Sequence, residues 1–112
     1  MPVSGAAEKI ANAMAALPGV TSAPHRFGGT EYRLARREIG HVHGNALVDI
    51  PFTKQIREEL VAAGKAERHH VLPESGWVSI FLRKPADVDR AIELLRLSFT
   101  RAQKPEPAAT TP

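Results

Sequence analysis

The chain contains no cysteine. That excludes disulfides, thiolate metal sites, iron–sulfur clusters and cysteine nucleophiles, and it fits a reducing compartment. Aromatic residues are scarce, 5% of the chain with one Trp and one Tyr, so there is little flat surface on which unpaired bases could stack. Long apolar runs are missing as well. The longest near the N-terminus, Ala13 to Leu17, has five residues, against about 7–15 for a secretory segment and about 20 for a membrane span. The expectation is a cytoplasmic protein without a membrane partner. Neither sign of charge dominates: 15 Lys+Arg stand against 12 Asp+Glu, a mild excess that permits an acidic partner without requiring one. Phosphate loop, nucleophile elbow and dinucleotide fingerprint do not occur.

What is present fits one domain. The length of 112 residues, with 43% hydrophobic and 24% charged, suits a single soluble core. Ile10, Met14 and Leu17 recur at helical spacing behind a candidate N-cap, Ser4, and Pro18-Gly19 ends that helix. The period then changes to two. Val20–Phe27 and Thr30–Leu34 read as a hairpin around Gly28-Gly29, which pairs Phe27 with Thr30, Arg26 with Glu31 and His25 with Tyr32. Pro24 suggests an edge position for the first of these strands. Glu38–His43 and Ala46–Phe52 follow as strands around Gly44-Asn45. A two-residue turn there pairs His43 with Ala46, His41 with Val48 and Ile39 with Ile50, leaving Glu38, Gly40, Val42, Leu47 and Asp49 on the other face. A longer loop would bring Asp49 beside the histidines instead.

Thr53 caps a second helix carrying Ile56, Leu60 and Val61 and ending at Gly64. Ala66–Leu72 and Trp77–Leu82 are extended segments around Pro73-Glu74-Ser75-Gly76. Pro85 opens a last helix with Val88, Ile92, Leu95 and Phe99 on one stripe. Gln103–Pro112 holds three of the nine prolines and reads as a disordered tail after a domain at 1–102. The order predicts an α+β fold: an antiparallel β-meander of four to six strands, with three helices mainly on one face.

The histidines carry most of the chemical information. His41-Val42-His43 puts two imidazoles on one face of a strand, about 7 Å apart at Cβ. His69-His70 follows Glu67-Arg68. Imidazole titrates nearest neutrality and exchanges protons at low cost. A lone histidine is usually a half-buried side chain with one hydrogen bond, and His25 is read that way. Two on one aliphatic face cost desolvation without a packing gain over Val or Leu. No cofactor is expected. A divalent metal is the minor alternative, on His41, His43 and His69 or with Asp49 or Glu38 as third ligand. Trp77 is read as core or as the wall of a pocket for a flat ligand, with His70 and Asp49 as further ligand-binding candidates. Arg33, Arg36 and Arg37 cluster at a hairpin corner, where they either solubilise an edge or meet phosphates.

Arg37-Glu38-Ile39-Gly40-His41-Val42-His43, Gly64–His70 and Ser75-Gly76-Trp77 resemble segments of the small bacterial luciferase-family proteins related to fungal luciferase. Lys65-Ala66 stands where the fungal segment has Trp-Gly, and His70 where it has Pro. The resemblance covers roughly 23–99. It implies oxygenation of a hydroxypyrone-like molecule, with Glu38, His41, His43, Glu67, Arg68 and His69 as catalytic candidates. On that reading one of His41, His43 or His69 deprotonates an acidic enol or phenol. Arg68 stabilises the anion, which reacts with O₂ without a redox cofactor. The partner is then a small molecule, and the chain is a monomer or homodimer. The element order also resembles double-wing domains of the MmcQ/YjbR type, which implies the alternative: a non-enzymatic DNA-binding domain using Arg33, Arg36 and Arg37.

Overall fold

The computed structural model describes residues 2–25 and 28–104. Three helices, α1 (Ala6–Ala15), α2 (Lys54–Ala62) and α3 (Pro85–Ala102), accompany six strands: β1 (Val20–Pro24), β2 (Thr30–Leu34), β3 (Arg37–His43), β4 (Leu47–Ile50), β5 (Glu67–Arg68) and β6 (Val78–Phe81). The sheet is antiparallel, in the order β1-β2-β3-β4-β6-β5. The α+β expectation holds. Only the first four strands form a meander, because the chain crosses through α2 to the far edge and β6 returns between β4 and β5.

One sheet face carries the core. Val42, Val48, Ile50, Val78 and Ile80 pack with Ile10 and Met14 of α1 and with Val88, Ile92, Leu95 and Phe99 of α3. The stripes expected on α1 and α3 are the buried ones. β1 lies at an edge, which lets Pro24 sit in it without breaking a central ladder. Thr53 caps α2 by accepting the Ile56 N–H at 3.1 Å. Ser4, in contrast, does not cap α1. Gly5 precedes the helix, and Asn45 reaches over from the β3–β4 loop so that its Oδ1 accepts the Ala7 N–H at 2.8 Å. Among the described residues no helix is long and apolar enough to cross a membrane.

Two registers differ from the two-residue turns expected. Thr30 pairs with Pro24 and Tyr32 with Ser22, so β1 ends before a five-residue connection and His25 leaves the ladder. Arg26 and Phe27 themselves lie outside the described residues, as does 105–112 of the expected tail. In the second hairpin His43 pairs with Leu47, Val42 with Val48 and His41 with Asp49. The loop therefore has three residues, Gly44 to Ala46, and the longer-loop alternative is the one realised. The physical reason is Asn45, whose side chain and carbonyl are both engaged by the N-terminal segment through Ala7 and Val3.

A bulge completes the arrangement. Tyr32 pairs with Gly40 but Arg33 with Glu38, leaving Ile39 as an extra residue in β3. The extra residue reverses the in–out alternation on either side of it. Ile39 is fully buried, and a Cβ at Gly40 would come 2.7 Å from Leu95 Cδ2 of α3. Glu38 consequently shares a face with His41, contrary to the strict alternation expected from the sequence.

Candidate functional site

The face turned away from α1 and α3 is polar and centres on Asp49, which is fully buried. Oδ1 accepts the Ser79 hydroxyl at 2.6 Å. Around Oδ2 stand the Nε2 atoms of His41, His43 and His70, each at 3.2 Å, and that of His69 at 3.5 Å. His41 and His43 arrive from β3, and Asp49 and Ser79 from the neighbouring β4 and β6, as the ladder pairing of His41 with Asp49 and Asp49 with Ser79 dictates. His69 and His70 arrive from the segment after β5, held where the His70 N–H donates to Ser79 Oγ at 3.3 Å.

Each imidazole has a different second contact. His41 Nδ1 lies 2.7 Å from Glu38 Oε2. Burial works against charging this ring, but the hydrogen bonds to Asp49 and Glu38 outweigh it and push His41 up to about 9. The ring is an imidazolium clamped between two carboxylates. His69 Nδ1 accepts the backbone N–H groups of Val71 at 3.1 Å and Leu72 at 3.0 Å. Those two donors fix its proton on Nε2, facing Asp49, so neither nitrogen is left to act as a base. Burial moves both His69 and His43 below the ordinary histidine value, against the pull of Asp49. Burial alone would raise Asp49, yet the hydrogen bonds from His41 and Ser79 hold it well below the usual carboxylate range.

The aromatic surroundings come mainly from the histidines themselves. His25 lies tilted against His41 at 4.2 Å between ring centroids, and Trp77 lies 5.2 Å from His41 and 6.1 Å from His69. Trp77 thus belongs to the polar face and not to the core. It is placed by the turn before it, where Gly76 is required because any Cβ would collide with the Phe52 carbonyl. Buried Arg57 of α2 braces that turn by donating to the carbonyl oxygens of Pro73 and Ser75, at 3.2 and 2.6 Å.

Of the residues singled out from sequence, Glu38, His41, His43, Asp49, His69, His70 and Trp77 come together. The imidazoles of His41, His43, His69 and His70 close on one carboxylate, and two of them, His69 and His70, also border a cleft. That cleft, of about 670 Å³, is lined by His69, His70, Glu67, Arg68, Phe81 and Arg83 among others. Arg68 borders this cleft, but its guanidinium pairs with Glu58 at 2.7 Å and Glu74 at 3.4 Å. Glu67 pairs with Arg83 at 3.4 Å. At the far corner Arg33 pairs with Glu31 and donates to the Arg36 carbonyl, while Arg37 donates to the carbonyls of Arg101 in the last turn of α3 and of Lys104 just after it. These guanidiniums tie the chain together, which does not favour the DNA-binding alternative. Sequence reasoning missed Ser79, His25 and Arg57. Ser79 was detectable as a small polar residue between Val78 and Ile80, on the face opposite theirs.

A match to known families decides the identity of this arrangement. The Luciferase domain family matches residues 36–98, more than half of the chain. The chain belongs to that family. The matched part of this luciferase domain begins just before β3 and ends within α3, so it contains Glu38, His41, His43, Asp49, His69, His70, Trp77 and Ser79. Among the described residues, His25 joins the cluster from outside it. No curated protein and no solved structure matches this chain.

Proposed function

We propose that this luciferase domain binds a small enolisable or aromatic molecule in the cleft beside His70 and removes a proton from it, in an oxygenase-type reaction. One observation carries the reading. His70 Nε2 lies 3.2 Å from the Asp49 carboxylate, and the ring lines the cleft with its side chain 36% exposed. A buried carboxylate behind an accessible imidazole orients the ring and fixes its tautomer, which is how a histidine base is positioned in other sites. With Nε2–H directed at Asp49, Nδ1 is the nitrogen that receives the proton. His41 is already protonated, His69 holds its proton towards Asp49 and His43 does not line this cleft, so the base role expected of one of these three is given to His70.

Lys65, Arg68, Arg83 and Arg90 line the cleft with Glu67 and Asp87. Each of these cations is paired with a carboxylate, so an anionic ligand is held by exchange with those partners, and a nearby cation then favours the deprotonated ligand. An enolate or phenolate is electron-rich enough to react with O₂ directly. Family membership supports that choice of chemistry, because luciferase reactions consume oxygen.

Trp77, the single tryptophan, lies 6.1 Å from the ring of His69, which lines the cleft, and serves as the probe. A panel of hydroxypyrones and acidic phenols is titrated while its emission is followed, and oxygen uptake is recorded with each. Binding should change the emission, and His70→Gln should bind the same compound while oxygen uptake falls by roughly 10²–10⁴-fold. Unchanged oxygen uptake in that variant, or no response across the panel, overturns the reading.

A further inference from the structure

The crowding at Asp49 Oδ2 poses a problem of valence. One carboxylate oxygen offers about two lone-pair directions, yet the Nε2 atoms of four imidazoles stand within 3.5 Å of it. Four N–H donors cannot all be accommodated there. A nitrogen that turns its lone pair towards the carboxylate needs a cation between them.

We infer that His41, His43 and Asp49 form a binding site for a divalent first-row transition-metal ion. Their three donor atoms lie within 4.8 Å of one another. The distances from Oδ2 to the Nε2 atoms of His41 and His43 are both 3.2 Å. Metal bonds of about 2.0–2.1 Å place neighbouring ligand atoms roughly 2.9–3.4 Å apart in octahedral or tetrahedral shells, so these separations already match. The two rings stand nearly perpendicular, 88° apart, so the two nitrogens approach from different directions.

The supporting contacts are those that metal-bound histidines and carboxylates use. Glu38 accepts a hydrogen bond from His41 Nδ1–H at 2.7 Å, which leaves Nε2 to face the ion. Ser79 holds the other oxygen of Asp49. A competing set, Asp49 with His69 and His70, also has its atoms within 4.8 Å. The tautomer excludes it: the Val71 and Leu72 N–H groups occupy His69 Nδ1 and keep a proton on Nε2. His69 is then a donor that orients Asp49, and His70 remains outside the metal shell.

Two imidazoles and one carboxylate, without thiolate, suit Fe²⁺, Mn²⁺, Co²⁺ or Zn²⁺ and leave positions open to oxygen ligands. On binding, the ion replaces the Nε2 proton of His41, which passes to solvent. This inference goes beyond the proton-transfer reading and needs no substrate to be tested.

The probe is Co²⁺, added to the tag-free, chelator-stripped full chain. Uptake is measured by equilibrium dialysis with elemental analysis, and visible absorption reports the ligand field. We expect one ion per chain and a rise in thermal midpoint. His43→Ala, which removes a ligand, should weaken uptake by more than ~100-fold, and Glu38→Gln by roughly 10–100-fold. Circular dichroism shows whether each variant is folded, and Glu38→Gln decides if His43→Ala is not. Sub-stoichiometric uptake of Co²⁺, Zn²⁺ and Mn²⁺ by the folded wild type overturns the inference, as does wild-type affinity in the folded variants. Stoichiometric Co²⁺ without any response to the hydroxypyrone and phenol panel upholds the metal site and sinks the proton-transfer reading. The reverse pattern does the opposite.

Discussion

Two neighbouring rungs of the central sheet have opposite chemistry. Val42, Val48 and Ile80 form one, and His41, Asp49 and Ser79 form the next. The first rung meets the helices and is wholly apolar. The second faces away from them and is nearly as dry, with Asp49 and Ser79 fully buried and His41 8% exposed, yet it contains a carboxylate, a hydroxyl and an imidazolium. Burial alone therefore does not distinguish the faces. The difference lies in how each is stabilised: dispersion and water exclusion on one side, mutual hydrogen bonding of groups that would be costly to bury singly on the other. Such a polar layer adds little net stability and much directional constraint, which is what a chemical site requires.

The contrast yields graded expectations. The largest effect belongs to the apolar side. Leu95→Ala removes a fully buried side chain and should cost about 2–5 kcal/mol, read from urea denaturation. A cost near zero would mean that α3 does not hold the sheet in place. The polar side should show itself through pH. His41 titrates higher in the folded chain than its ordinary 6.5, so its contribution is complete below about pH 6.5 and is lost as pH rises through 9. At most about 3 kcal/mol is involved. Denaturation midpoints of the metal-free chain should fall between those pH values, and His41→Gln should flatten the slope. A parallel slope in the variant would remove the imidazolium from the account. The smallest effect tests the junction between the faces: Asn45→Ala should cost roughly 0.5–2 kcal/mol through loss of the α1 cap, read from urea denaturation.

Much of the apolar side was legible in the sequence because periodicity encodes it. Val88, Ile92, Leu95 and Phe99 need no knowledge of the rest of the chain to be read as a buried stripe. The polar side was legible only in part. The spacing of His41 and His43 shows that they share a face, whereas the presence of Asp49 and Glu38 beside them depends on one extra loop residue and one bulged residue. Both insertions are set by contacts distant in sequence, Asn45 with the start of α1 and Ile39 with the core. Local pattern cannot supply them. The convergence of His69 and His70 on the same carboxylate depends on the crossover through α2, which is equally non-local.

The three-residue loop at Gly44–Ala46 has a consequence for how faithfully this chain assembles. Sliding β4 by a single position would turn Asp49 into the oily layer and at the same moment withdraw Asn45 from the start of α1. An error in one hairpin is thus penalised at two distant places at once. The loop works as a checksum: the N-terminal helix seats only when the carboxylate is on the correct side.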